Sequence, residues 1–119
     1  MRRYLLAVAV FSASISTAHA KCCYGDKYLG GYVKNNEERT FSLCPGSTII
    51  GVRADNENHN LSMSVAKPSG AEVCDKGPGQ ELTCAFEVSN SNEGTYTIVV
   101  RNKTRNADGV SYQLSCRDQ

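Results

Sequence analysis

The chain has 119 residues, with 13 basic and 12 acidic side chains and a formal net charge of +1. A protein that wraps a nucleic-acid duplex is usually strongly basic, so this balance excludes that class. The length allows one domain and no more. Six cysteines in so short a chain favour an exported protein stabilised by disulfides.

The first predicted element, residues 1–20, has the order of a cleaved secretory signal. Arg2 and Arg3 come first, an apolar stretch follows, and small residues end at Ala20. The apolar stretch is too short to span a membrane, which takes about 20 apolar residues. We expect cleavage after Ala20 and a periplasmic or secreted domain over residues 21–119. General secretion is favoured over the twin-arginine route because the charged region is short.

Strand patterns separated by turn residues recur along the mature chain at a spacing of about ten residues, which is typical of an all-β sandwich or barrel. The clearest is LSMSV, in which Leu61, Met63 and Val65 alternate with two serines and predict a half-buried strand. VKNNEER, residues 33–39, is interpreted as a polar turn. The sequence therefore predicts an all-β fold, a single antiparallel, jelly-roll-like β-sandwich of seven to eight strands. The predicted strands cover residues 28–33, 40–44, 47–54, 61–65, 71–74, 82–88, 95–100 and 110–116.

The last two predicted strands flank a basic, polar connection, RNKTRNADG, residues 101–109. Their alternation favours pairing with each other, which would place Arg101, Lys103 and Arg105 at the tip of a hairpin. Such charges keep an exposed hairpin soluble and protect it from edge pairing. The alternative is that the three basic side chains contact a partner.

All six cysteines lie in the predicted mature chain and indicate three disulfides: Cys22, Cys23, Cys44, Cys74, Cys84 and Cys116. Cys74 and Cys84 bracket a Gly/Pro-rich connection, and we predict that they pair. Adjacent cysteines rarely bond each other, so one member of the Cys22–Cys23 pair should bond Cys44 and the other Cys116. A zinc site is disfavoured because the mature chain has one histidine and no CxxC pair.

Residues that carry catalysis are scarce, and we expect a protein that is not an enzyme and needs no cofactor. His59 is the one histidine of the mature chain, and it stands in the polar loop DNENHN without a nucleophile motif. The paired carboxylates Glu37 and Glu38 fall in the predicted polar turn. Asn60 and Asn102 begin N-glycosylation sequons, which matter only in a eukaryotic host.

Calcium is the competing interpretation of the DNENHN loop, because calcium takes six to eight oxygen ligands. The spacing does not match an EF-hand and only two of the candidate ligands are charged, so a solvated loop is favoured and no metal site is predicted. The candidate oxygen donors are Asp55, Asn56, Glu57, Asn58 and Asn60.

The order of strands and turns resembles the bacterial pre-peptidase C-terminal type of β-sandwich. The stretches that carry the likeness are TFSLCPGSTIIGVRA, NLSMSVAKPSG, FEVSNSNEGTYTIVV and SYQLSC. The resemblance covers most of residues 28–116 and implies a β-sandwich. Some members of that family bind calcium.

Two stretches resemble a second group, the bacterial periplasmic inhibitors of g-type and i-type lysozymes. YLGGYVKNNEERTFSL is similar to their Y-x-G-x-(x)-K strand and the aromatic T-[YF]-x-[FL] strand that follows it. EGTYTIVVRNKTRNADGVSYQL is similar to their S-G-x-(x)-Y strand, T-R-N-x-A hairpin and closing Y-x-L/V strand. Gly94 and Tyr96 match the first motif, and Thr104, Arg105 and Asn106 match the second. This resemblance implies a protein partner, a lysozyme, with the loop 89–96 and the hairpin 101–106 as the contact surface. The contact residues would be Glu93, Gly94, Tyr96, Arg101, Lys103, Arg105 and Asn106.

The sequence thus leads to one preferred function and two alternatives. The preferred function is a non-enzymatic inhibitor that occludes a lysozyme cleft with loops, with Arg105→Ala and Tyr96→Ala expected to weaken inhibition without unfolding. The first alternative is a module that binds calcium, a glycan or another cell-surface partner through the DNENHN loop. The second is a secreted structural or virulence-associated protein with another partner. Whether the chain is a monomer or a dimer is left open.

Overall fold

The structure, a computed structural model, describes residue 23 and residues 27–89 and 94–118. This part of the chain forms eight strands and no helix, so it holds no helix long and apolar enough to cross a membrane. The strands are β1 (Lys27–Val33), β2 (Asn36–Ser42), β3 (Gly46–Ala54), β4 (Leu61–Ala66), β5 (Glu72–Gly79), β6 (Glu81–Val88), β7 (Thr95–Asn102) and β8 (Val110–Asp118).

The strands form two four-stranded sheets that face each other. Sheet A has the order β1-β8-β3-β6 and sheet B the order β2-β7-β4-β5, and every pairing is antiparallel. Every connection except the β4–β5 turn crosses from one sheet to the other, which makes the molecule an eight-stranded jelly roll. The predicted all-β, jelly-roll-like sandwich is confirmed.

The core lies between the sheets and is filled by alternate residues of each strand. Leu61, Met63 and Val65 of β4 are fully buried, as the LSMSV pattern predicts. Burying a side chain of this size contributes about 1.5–3 kcal/mol relative to leaving it exposed. The fully buried side chains also include Val33, Ile50, Val52, Tyr96, Ile98, Val100, Val110, Tyr112 and Leu114.

Two disulfides are described completely, and both agree with the predicted pairing. Cys74 of β5 bonds Cys84 of β6, with the two Cα atoms 6.0 Å apart, and so ties the two sheets together along one side. Cys23 bonds Cys116 of β8, with a Cα separation of 5.9 Å. Cys44 is disulfide-bonded as well. Cys22, its predicted partner if Cys23 takes Cys116, lies outside the described residues.

The predicted hairpin between the last two strands is wrong. β7 belongs to sheet B, where it pairs with β2 and β4, and β8 belongs to sheet A, where it pairs with β1 and β3. Alternation indicates which face of a strand is buried but not which strands pair with it. The connection 103–109 is long enough to cross the gap of about 10 Å between packed sheets, which a tight hairpin turn cannot do.

Two segments predicted as polar connections are strands. NEER of the predicted turn belongs to β2, in which Glu37, Arg39 and Phe41 alternate with exposed residues and are half-buried. DKGPG, predicted as part of the connection between Cys74 and Cys84, is the second half of β5. Both segments lie on strands at the edge of sheet B, where one side of the strand needs no neighbour, so charged residues and proline are tolerated.

Candidate functional site

Strand β7 separates the predicted contact residues into two groups. Gly94 immediately precedes the strand, whereas Lys103, Arg105 and Asn106 follow its end at Asn102. Eight extended residues span about 25 Å at 3.2–3.4 Å per residue. The two groups therefore lie at opposite ends of the sandwich, and they do not form the one continuous surface that the sequence predicts.

The first group, at the start of β7, offers little contact surface. Tyr96 is 1% exposed and stacks on Phe86 with ring centroids 5.7 Å apart, so it is a core residue. Its phenol ring is not available to a partner, and Tyr96→Ala would test packing and not contact. Gly94 is exposed with a φ of 114°, and a Cβ added there would lie 3.4 Å from the side chain of Pro68. Glu93 lies outside the described residues.

The second group belongs to an end of the sandwich that we call the loop end, formed by residues 34–35, 55–60, 80 and 103–109. Backbone hydrogen bonds connect its segments: Asn102 N–H donates to the Asn35 carbonyl at 2.9 Å, and Lys103 N–H donates to the Asn60 carbonyl at 2.9 Å. The basic connection therefore lies directly beside the DNENHN loop, two segments that the sequence analysis treats as separate candidates.

Thr104 holds the two loops together with its side chain. The backbone N–H of Asn60 donates to Thr104 Oγ1 at 2.8 Å, and Thr104 Oγ1 donates back to the Asn60 carbonyl at 3.0 Å. A hydroxyl can serve as donor and acceptor at once, which makes threonine suited to this position. The match of Thr104 to the lysozyme-inhibitor motif thus falls on a residue that fixes the loop.

Asn102 holds the base of the same connection. Its Nδ2 donates to the carbonyls of Lys34, at 3.0 Å, and Ala107, at 3.1 Å, while its Oδ1 accepts from the N–H of Thr104 at 2.8 Å. Both amide hydrogens of the side chain are therefore in use. This local role accounts for an asparagine at the start of the Asn102 sequon without invoking a glycan.

The basic side chains of the loop end face solvent. Lys103, Arg105 and Asn106 are exposed, and Asn106 takes a φ of 63°, a left-handed conformation that asparagine tolerates. Arg101 is half-exposed on the outer face of sheet B, opposite Asn36 and Ser62. Within the described residues, neither Lys103 nor Arg105 forms an ion pair. Their charges are free to meet an outside carboxylate.

Acidic side chains share this end, so its surface carries both signs of charge. Asp55, Glu57 and Asp108 are exposed there. The loop 55–60 closes on itself, because Asn58 N–H donates to Asn56 Oδ1 at 2.8 Å and His59 N–H donates to the Asn56 carbonyl at 3.0 Å. Among the described residues, no group of three or more His, Cys, Asp and Glu side chains is placed to hold a metal ion.

A polar cluster that the sequence analysis missed closes one side of the sandwich. Tyr112 of β8 donates a hydrogen bond to Glu37 Oε1 on β2, and Arg39 Nη1 donates to Glu37 Oε1 at 3.4 Å and to the Tyr112 hydroxyl at 3.3 Å. Burial, and then the hydrogen bond to Glu37, raises the pKa of Tyr112. The sequence signal that could have revealed it is the period-two spacing of Glu37, Arg39 and Phe41, which places all three on one face once residues 36–42 form a strand.

A shallow groove of about 460 Å³ lies on the outer face of sheet A. Gly51 is among the residues that line it, and Glu81 is the one carboxylate in the lining, which contains no histidine. The lining therefore lacks the pair of carboxyl groups that glycoside hydrolysis uses.

The fold is similar to those of solved bacterial proteins. The Yersinia pseudotuberculosis-derived mitogen matches with a TM-score of 0.65 and 10% identity, over 81% of this chain and 87% of the mitogen. The pre-peptidase C-terminal domain of a Bacillus anthracis collagenase matches with a TM-score of 0.62 and 15% identity, over 77% and 89%. Aeromonas hydrophila PliG, a periplasmic lysozyme inhibitor of g-type lysozyme, matches with a TM-score of 0.54 and 19% identity, over 81% and 88%.

These similarities confirm, at the level of the fold, both resemblances that the sequence suggests. No family model matches the chain, and no curated protein matches it by sequence. With identities below one in five, the structural matches establish a shared architecture, and a shared fold does not carry a function with it. Evidence for a function therefore has to come from the chemistry of the loop end.

Proposed function

We propose that the protein is a secreted or periplasmic, non-enzymatic inhibitor that binds a lysozyme and occludes its cleft with the loop end. The observation that carries the proposal is the basic connection 103–109, which is exposed yet fixed by hydrogen bonds at Asn102 and Thr104. The similarity of the fold to a periplasmic lysozyme inhibitor is in accord with it.

The chemistry of a lysozyme cleft matches such a loop. Glycoside hydrolysis depends on two carboxyl groups that flank the scissile bond, and an inhibitor must approach them. The guanidinium of Arg105 can pair with a carboxylate through two parallel hydrogen bonds. Because Lys103 and Arg105 have no intramolecular carboxylate among the described residues, no ion pair has to break first.

The fixed backbone also favours tight binding. A loop that orders only on binding loses conformational entropy, and this loss subtracts from the affinity. The hydrogen bonds of Thr104 and Asn102 hold the connection in one conformation before a partner arrives. The contact surface proposed here is therefore Arg101, Lys103, Arg105 and Asn106 with the neighbouring loop 55–60, and it leaves out the opposite end around Gly94.

The proposal is tested by inhibition of cell-wall lysis. The protein, purified from the periplasm of a bacterial host so that its disulfides form, is titrated into g-type, i-type and c-type lysozymes that clear a suspension of bacterial cell walls. We expect inhibition of one class at a near-stoichiometric dose. Full lysis by all three classes at a large excess of the protein would refute lysozyme inhibition.

A matched pair of variants then locates the surface. Arg105→Ala removes a cation from the loop end, whereas Lys67→Ala removes one from the β4–β5 turn at the opposite end. We expect Arg105→Ala to weaken inhibition by at least about tenfold, equivalent to 1.4 kcal/mol, and Lys67→Ala to have no effect. Equal inhibition by both variants would remove the loop end as the contact surface.

A further inference from the structure

Tyr32, the second-last residue of β1, presents an exposed aromatic ring beside the loop end. It is 53% exposed, whereas Tyr96 and Tyr112 are each 1% exposed and belong to the core. Leu29 is the other exposed large hydrophobic residue among the side chains that the structure describes. The chain passes directly from Tyr32 and the last residue of β1 into the loop-end segment 34–35.

Two observations place Tyr32 against the loop end itself. A Cβ added at Gly109 would overlap the hydroxyl oxygen and the ring of Tyr32, so the ring lies directly on the last residue of the basic connection 103–109. On the strand, Tyr32 lies opposite Ser111, whose carbonyl accepts a hydrogen bond from the N–H of Asp55 at 2.9 Å. Tyr32 therefore borders both loops that the loop end brings together.

Gly109 gives the ring of Tyr32 its position. The φ of Gly109 lies outside the left-handed region, so the backbone alone does not require glycine there. The space that the ring occupies does require it. A tyrosine side chain has only two rotatable bonds, and this ring already rests on the backbone of the connection on one side. It would therefore lose little conformational entropy when a partner covers its other side.

We propose that Tyr32 is the aromatic anchor of the lysozyme contact, an inference that rests on the proposed function. Tryptophan, tyrosine and arginine are the residue types that most often carry the binding energy of a protein interface. The loop end supplies two of them, because Tyr32 and Arg105 are both exposed there.

The chemistry of a substrate cleft fits this combination of an aromatic ring and a cation. Such clefts are lined mainly by apolar and aromatic side chains with a few polar groups among them. In a lysozyme the polar groups include the two carboxyl groups that cleave the glycosidic bond. The ring of Tyr32 would enter the apolar part of the cleft, and the guanidinium of Arg105 would meet a carboxylate.

Inhibition constants for a series of variants test the anchor. Tyr32→Ala should raise the inhibition constant at least about tenfold, and Tyr32→Phe should retain most of the inhibition because it keeps the ring. Leu29→Ala is the matched control, because it removes the other exposed large side chain of β1 at a site about 10 Å further from the loop end. It should leave the inhibition constant unchanged.

Gly109→Ala displaces the ring without removing it. The atoms that its Cβ would meet belong to the far end of an exposed side chain, so the ring can turn into solvent and the fold is kept. We expect Gly109→Ala to weaken inhibition in the otherwise unmodified protein and to have no further effect when Tyr32→Ala is already present. A merely structural effect of the added methyl group would weaken inhibition equally in both backgrounds.

The outcomes separate this inference from the proposed function. Inhibition by Tyr32→Ala that equals that of the unmodified protein, or equal effects of Gly109→Ala in both backgrounds, would overturn the anchor. If Arg105→Ala weakens inhibition in the same assay, the proposed function stands without Tyr32. Full lysis by every lysozyme class in the presence of the unmodified protein would overturn both.

Discussion

Removing the two described disulfides one at a time should cost the domain very different amounts of stability. A disulfide restricts the unfolded chain more when it closes a longer loop. Cys23–Cys116 joins residues 93 apart, and Cys74–Cys84 joins residues 10 apart. Chain entropy then gives about 4.7 kcal/mol for the long loop and about 2.7 kcal/mol for the short one, a difference of about 2 kcal/mol.

The comparison uses two double-alanine variants, Cys23→Ala with Cys116→Ala and Cys74→Ala with Cys84→Ala. Each variant removes one bridge and two sulfur atoms. The loss of core packing is therefore similar, and the loop length is the main difference. Reversible unfolding in guanidinium chloride measures the free energy of unfolding of each variant and of the unmodified protein. The long-loop variant should also melt about 8–16 °C below the short-loop variant.

An equal loss of stability in the two variants would refute the chain-entropy reasoning. So would a larger loss for the Cys74–Cys84 pair. That result would mean that this bridge acts mainly in the folded state, where it fastens β5 to β6 across the side of the sandwich.

Three further expectations concern single residues. Thr104→Val removes both side-chain hydrogen bonds to Asn60 and should lower the free energy of unfolding by about 1 kcal/mol. It should also weaken lysozyme inhibition, and unchanged inhibition would show that these hydrogen bonds are dispensable for binding. Gly31→Ala should cost about 1–3 kcal/mol because its Cβ would overlap the ring of Tyr112, while Gly30→Ala should be neutral, and equal denaturation midpoints would contradict this. In a spectrophotometric pH titration, Tyr112 should stay protonated through the ordinary tyrosine range. Because its pKa is raised in the folded state, its contribution to stability is present below the ordinary tyrosine range and is lost as the pH rises through the folded-state pKa.

Periodicity was sufficient to predict the inward face of most strands. Leu61, Met63 and Val65 alternate with serines because β4 has the core on one side, and the structure buries all three apolar residues. The pairing of Cys74 with Cys84 was also predictable, because the intervening segment is short and rich in glycine and proline. These features depend on residues close together in the sequence.

The parts of the fold that escaped prediction depend on which strands become neighbours. β7 and β8 follow each other in sequence and lie in different sheets, so the hairpin inferred from their alternation does not form. The first half of β2 is predicted as a turn because it is charged, although Glu37, Arg39 and Tyr112 hydrogen-bond one another at the side of the sandwich. A sequence pattern contains no direct signal for either arrangement.

The candidate site was predicted only in part, because a sequence motif does not show which of its residues become neighbours. Motif resemblance selected Thr104, Arg105 and Asn106, which the structure places together at the loop end. It also selected Tyr96, whose ring lies in the core. A motif that spans a whole strand includes residues of both faces and both ends, and the length of β7 keeps the two ends too far apart to act together.

The most direct test of the proposed function is an NMR titration of the isotope-labelled protein with the lysozyme that it inhibits. Residue-resolved shifts of the backbone amides report which surface is covered. We expect the largest changes in the segments 34–35, 55–60 and 103–109, centred on Arg105 and Asn106. Changes concentrated at the opposite end, in residues 43–45 and 67–71 and at Gly94, would contradict the assignment of the loop end as the contact surface.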